Sequence, residues 1–200
     1  MKSLTYILLF LIVWNFSITQ DSAYIKEIKT WQAELNEEYL DPVRSPLSPT
    51  DMESFSGHAF YPIQEKYKVE ARFEATPDAR PFPLGTSKGT TKVYKRIGIL
   101  HFELEGQKQT LEAYVEQRRF SLPGQQIYVF LPLVDETTGR ENYGAGRYMH
   151  YEGIPEGDQW LIDFNKLYNP YCAYSDRFEC PKVPEANYLE IPVRAGVKGY

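Results

Sequence analysis

Apolar and polar residues alternate with three different periods along this chain. From Leu4 to Ile18 the run is apolar apart from Thr5, Asn15 and Ser17. From Tyr24 the period lengthens. Tyr24, Ile28, Trp31, Leu35 and Tyr39 recur at steps of four and three, with Lys26, Glu27, Lys29, Glu34, Glu37 and Glu38 on the other faces. That spacing predicts one amphipathic helix, capped by Asp21 or Ser22, ended by Asp41-Pro42 and packed through Trp31 into the core. Three prolines between Pro42 and Pro49 read as a loop or strap.

After Tyr61 the period is two, as in strands with one wet face. Tyr67, Val69, Ala71 and Phe73 alternate with polar neighbours, and Thr76 to Gly89 reads as loop. Leu100, Phe102 and Leu104 alternate up to a turn at Glu105-Gly106-Gln107, and Leu111, Ala113 and Val115 return from it, which predicts a hairpin. A second turn at Leu122-Pro123-Gly124 leads into 127–134, apolar on both faces and so a central strand. Short strands are expected at 146–151, 160–164 and 189–193. One leading helix followed only by strands predicts a mainly β fold, an antiparallel sheet curled into a barrel or, alternatively, packed as a sandwich. A barrel mouth would receive the loop from Asp135 to Gly146.

The first apolar run, behind the single cation Lys2 and ahead of the polar Gln20-Asp21, has the form of a secretory signal peptide over residues 1–19. An uncleaved anchor or a core helix are the alternatives; a bilayer span needs about 20 apolar residues. Residues 20–200 are then read as one exported domain, periplasmic or extracellular. Cleavage removes one lysine and no acid, taking the formal charge from −5 to −6. That balance disfavours nucleic acid and anionic membrane surfaces as partners, and no membrane insertion is expected after cleavage. In an exported chain the two cysteines, Cys172 and Cys180, are expected to form a disulfide. Free thiols or half a metal site are the alternatives, but seven intervening residues do not suit zinc.

Chemistry concentrates between Asp135 and Asn187. The loop after the central strand carries Asp135, Glu141 and Arg147 among glycines, on a rigid base of the kind that often holds functional residues. Asp163 and Asn165 break the alternation of Trp160, Ile162 and Phe164 on its opposite face. Two readings stand side by side. Either they hydrogen-bond the following loop as Asx turns do, or Asp163 pairs with Arg147 to organise an anion or carboxylate site. Three scattered histidines, His58, His101 and His150, lack metal-site spacing, and no Gly-x-Ser-x-Gly motif is present. No metal or cofactor is expected.

The run Asp163-Phe164-Asn165, Tyr168-Asn169-Pro170-Tyr171-Cys172-Ala173-Tyr174, Cys180-Pro181, 185–189 and Arg194-Ala195-Gly196 resembles the signature of the uncharacterised family called domain of unknown function 1684. Thr138-Gly139, Glu141, Tyr143-Gly144, Gly146-Arg147-Tyr148, the Trp31 helix and Phe60-Tyr61-Pro62 are similar to its other blocks. The resemblance spans nearly all of residues 20–200 and implies no activity or catalytic residue. The leading expectation is therefore an exported domain that binds a small ligand or envelope component at one end of a barrel. Arg147, Asp163, Asn165 and Asn169 would supply its polar contacts. The alternatives are a hydrolase using two of Asp135, Glu141 and Asp163, and a purely structural or protein-interaction role.

Overall fold

In the computed structural model, which describes residues 22–121 and 124–199, one curled antiparallel sheet organises the chain. Segment 1–19, read from sequence as a signal peptide, and the predicted turn at Leu122-Pro123 lie outside the described residues. Helix α1 (Ser22–Leu40) buries Tyr24, Ile28 and Tyr39, and a short α2 (Pro49–Ser54) follows the proline strap, its start capped by the Ser48 hydroxyl. The strands are β1 (Lys68–Ala75), β2 (Phe82–Gly85), β3 (Thr91–Leu104), β4 (Gln107–Glu116), β5 (Tyr128–Asp135), β6 (Arg147–Glu152), β7 (Gln159–Asp163) and β8 (Tyr188–Leu189). The sheet runs β6-β5-β4-β3-β1-β7, with β2 added to β3 and β8 to β5.

The predicted hairpin is present. Leu104 faces Gln107 across Glu105 and Gly106, both with positive φ, the backbone that a two-residue primed turn requires. Strand β5 is buried on both faces, as its apolar run implies. Two expectations are corrected. The stretch 76–89 contains β2, which pairs with β3 from Phe82 to Gly85. The last strand is only two residues long, because Tyr188 and Leu189 pair with β5 and the chain then leaves the ladder.

The fold is mainly β and barrel-like, with a core on each face of the sheet. Inside the curl, Leu100, Leu111, Ala113, Leu131, Ile162 and Phe164 pack with Leu189, Ile191, Val193 and Ala195 from the C-terminal segment. On the outer face Tyr94, Tyr114, Phe130 and Tyr148 form a second cluster, covered by Tyr168, Tyr171, Cys172 and Phe178. The alternation thus marks two buried faces where β5 and β6 cross beneath the 168–183 segment.

The curl does not close. Strands β6 and β7 are consecutive in sequence yet unpaired with each other, and they form the two ends of the sheet. Tyr148 exchanges both backbone bonds with Tyr168, at 2.8 and 3.0 Å, so 148, 150 and 152 turn their peptide groups away from β5. Pro132, opposite Tyr148, then has no donor to offer and needs none. On β7, Phe73 N bonds Asp158 O, so 159, 161 and 163 turn theirs away from β1. The Tyr151 hydroxyl bridges the seam, donating to Leu161 O at 2.8 Å.

Candidate functional site

The seam lies beneath α1. Ion pairing of Lys166 with Glu27 at 2.6 Å, a hydrogen bond from the Tyr171 hydroxyl to Glu38, and edge contacts of Tyr39 with Tyr171 and Tyr174 hold the helix there. Trp31 and Leu35, in the middle of its apolar stripe, are only half-buried. Between them and the seam is a groove of about 780 Å³, within the size range of small-molecule sites. Its walls are Trp31, Leu35 and Glu38 of α1, Tyr148 to Glu152 of β6, Leu161 and Asp163 of β7, and residues of the 166–181 segment. Trp31 also meets Phe60 edge to face at 6.2 Å, so it is a groove wall and not the deep core residue its stripe predicted.

At one end, the His150 ring stacks between Phe130 and Tyr168, with centroids 5.1 and 5.9 Å away, and Nδ1 is hydrogen-bonded to the Tyr168 hydroxyl. Its edge reaches solvent, but the protein packed around the ring, together with Arg119, lowers its pKa from 6.5, so it is neutral at pH 7. Burial also raises the Glu38 carboxyl above its usual range. The groove tyrosines use most of their hydroxyls inside the protein: Tyr148 donates to Pro181 O, Tyr151 to Leu161 O and Tyr171 to Glu38. Ring faces and carboxylates are what remain for a ligand.

The residues singled out in sequence have mostly structural settings. Arg147 is fully buried and does not pair with Asp163. Its Nη2 donates to Asp135 Oδ2 at 2.8 Å and to Val193 O at 2.6 Å, and its Nη1 to Ala195 O and Val197 O at 2.6 and 3.2 Å. The guanidinium thus ties the C-terminal segment to β5 and β6, while its Nε has no partner among the described residues. It reaches this place because Gly146, at φ +92°, brings the chain against Leu133 O, where any Cβ would come within 2.5 Å.

Asp163 instead accepts from the Tyr24 hydroxyl through both oxygens, at 2.9 and 3.0 Å, and from Asn165 N at 3.0 Å, the Asx-turn arrangement. Asn165 Nδ2 donates to Tyr24 and Gln64 O, and its Oδ1 accepts from Gln64 N. Asn169 Nδ2 donates to Gly199 O and to the Tyr174 hydroxyl. Of the four proposed contacts only Asp163 lines the groove.

The three carboxylates proposed as an acid and base pair stand in separate settings. Asp135 is buried against Arg147. Glu141 sits on the surface in a bidentate contact with Arg194, whose hydrogen bonds hold it below the usual carboxylate range. Asp163 alone reaches the groove. Cys172 and Cys180 are free thiols in this structure, without the expected bridge, and Cys172 N donates to Cys180 Sγ at 3.2 Å. Hydrogen bonding between the two lowers Cys172 below the usual thiol range and raises Cys180. Among the described residues no three His, Cys, Asp or Glu side chains converge as a metal site, and no helix is long and apolar enough to cross a membrane.

Sequence reasoning missed the groove because its markers were ordinary tyrosines. One signal was available. Tyr148, Tyr151, Tyr168 and Tyr171 are dense in a short stretch that also holds the short strands expected at 146–151 and 160–164.

A family model described as "Protein of unknown function (DUF1684)" matches residues 53–198. The solution NMR structure of the uncharacterized protein from gene locus rrnAC0354 of Haloarcula marismortui is similar, with a TM-score of 0.67 and 31% identity over 88% of this chain and 94% of that one. No curated protein matches the chain.

Proposed function

The chain belongs to the DUF1684 family of proteins of unknown function, and from that premise we propose that it binds a small ligand, free or part of an envelope component, in the groove between α1 and the open seam. One observation carries this reading: consecutive strands β6 and β7 are held apart around a cavity of about 780 Å³ walled by aromatic rings. Closing the sheet would join β6 to β7 through backbone hydrogen bonds. The fold leaves a hollow there instead, of a size that suits a small molecule. The buried Asp163 and the half-buried Glu38 are its polar walls. Arg147, Asn165 and Asn169 build the scaffold behind it.

In the same reading, residues 1–19 direct the chain out of the cytoplasm, and the adjacent cysteines close into a disulfide in an oxidising compartment. That bridge would fix the 172–180 loop, whose Phe178, Glu179 and Cys180 form one wall of the groove.

Titration with indole and 2-naphthol, two neutral flat probes, tests the site by amide chemical shifts. The expected shifts are confined to 27–38, 68, 128, 148–152, 161–171 and 178–181, and Leu35→Trp, which fills the groove, abolishes them. Shifts spread over the surface, or unchanged by L35W, would overturn the assignment.

A further inference from the structure

Resting on that reading, we propose that the groove selects an organic cation, a ligand whose positive charge is carried by a weakly hydrated, alkylated ammonium. Three features of the walls converge on this class.

The first is charge. Glu27, Glu38, Glu152, Asp163 and Glu179 line the groove, against Lys68 and Lys166 as its only lysines or arginines among the described residues. Lys166 is neutralised by Glu27 at 2.6 Å, and Lys68 Nζ already lies over the Tyr24 ring, 4.4 Å from its centroid. None of Glu38, Glu152, Asp163 and Glu179 has an ion-pair partner within 4 Å among the described residues. Asp163, only 8% exposed, is held by a neutral tyrosine and the neutral Asn165. A cation in the groove would give these carboxylates the counter-charge that the protein withholds.

The second is the rings. Trp31, Tyr128, Tyr148, Tyr168 and Tyr171 wall the same space. The face of an aromatic ring is negative and attracts a cation, most strongly where water is excluded. His150, whose pKa the surrounding protein and Arg119 hold below 6.5, adds no opposing charge at pH 7.

The third is the direction of the hydroxyls. A neutral polyol or sugar needs directional hydrogen-bond partners, but Tyr148, Tyr151, Tyr168 and Tyr171 all commit their hydroxyls to protein atoms. An alkylated ammonium asks for none. It needs low-dielectric walls, π faces and carboxylates, which this groove provides together. An anion would meet four carboxylates that have no cationic partner among the described residues.

The test compares choline with its uncharged carbon isostere 3,3-dimethyl-1-butanol on the full domain, by isothermal titration and by amide shifts. Choline is expected to bind at least about tenfold more tightly, since one cation–π or charge contact of about 1.4 kcal/mol is a factor of ten. Glu38→Gln and Glu152→Gln should each reduce the ratio of choline affinity to isostere affinity several-fold, and a ratio unchanged in both variants would overturn the cation assignment. Equal or tighter binding of the isostere, with shifts in the groove, overturns the cation assignment while the groove itself stands. If neither compound binds although indole and 2-naphthol do, the cation assignment fails in the same way. If none of the four binds, the groove reading falls with it.

Discussion

Replacing Asp135 by alanine asks whether Arg147 is scaffold or binding group. Both side chains are fully buried. Asp135 accepts from Arg147 Nη2 at 2.8 Å, from Thr137 N and Oγ1 at 2.8 and 2.5 Å, and from Val193 N at 3.3 Å. Alanine removes the only carboxylate on the guanidinium and leaves a positive charge in the core, compensated by three backbone carbonyls alone. Breaking a buried pair from one side costs about 3–5 kcal/mol, because the surviving charge stays desolvated. For a domain of this size each 1 kcal/mol moves the melting midpoint by about 2–4 °C. D135A should therefore melt about 6–20 °C lower, read by circular dichroism or calorimetry. Arg194→Ala, which breaks the exposed pair with Glu141, is the control and should leave the midpoint almost in place, as solvent-exposed ion pairs do. If D135A melts with R194A, the buried pair is not what anchors the C-terminal segment. Binding of indole by the still-folded D135A protein at low temperature should match the parent, since neither Asp135 nor Arg147 lines the groove.

Two further outcomes follow from individual residues. His58, packed among Tyr39, Phe55 and Tyr174 with Nδ1 against Asn36 Oδ1 at 2.8 Å, is pulled by burial from 6.5 to about 4. The unfolded chain takes its proton first, so this contribution is complete above pH 6.5 and is lost as pH falls towards 4, with an upper bound of about 3 kcal/mol; melting midpoints of His58→Gln should lose that part of the acid slope, and an unchanged slope would refute it. Oxidation with glutathione disulfide should join Cys172 and Cys180, releasing two molecules of reduced glutathione, lowering the intact mass by two hydrogens and adding about 2–3 kcal/mol. Alkylation of both thiols after that treatment, without a reductant, would refute the bridge.

Local periodicity made the scaffold legible. The hairpin of β3 and β4 was readable because Leu100, Phe102 and Leu104 alternate into a turn that only positive φ at 105 and 106 can make. Strand β2 was hidden because Pro83 and Gly85 sit within a four-residue edge strand whose ladder is with β3. The role of Arg147 was unreadable for a different reason: its acceptors lie 46 to 50 residues away in sequence, on carbonyls that leave no trace in residue type. Asp163 and Asn165 showed their turn chemistry locally, but not Tyr24, which is 139 residues from Asp163. The groove combines α1, β6, β7 and the 166–181 segment, and its existence depends on a pairing that does not form. No pattern within one segment encodes a missing ladder.

The capture of Val193, Ala195 and Val197 by one guanidinium also bears on the order in which the molecule can be completed. Synthesis delivers Arg147 to the chain well before the carbonyls it needs, and Ile191, Val193, Ala195 and Val197 are themselves buried in the finished protein. Until residues 191–197 join it, the rest of the chain has a core short of apolar side chains and a cation with one acceptor where the finished protein gives it four. That segment is the latch that completes both.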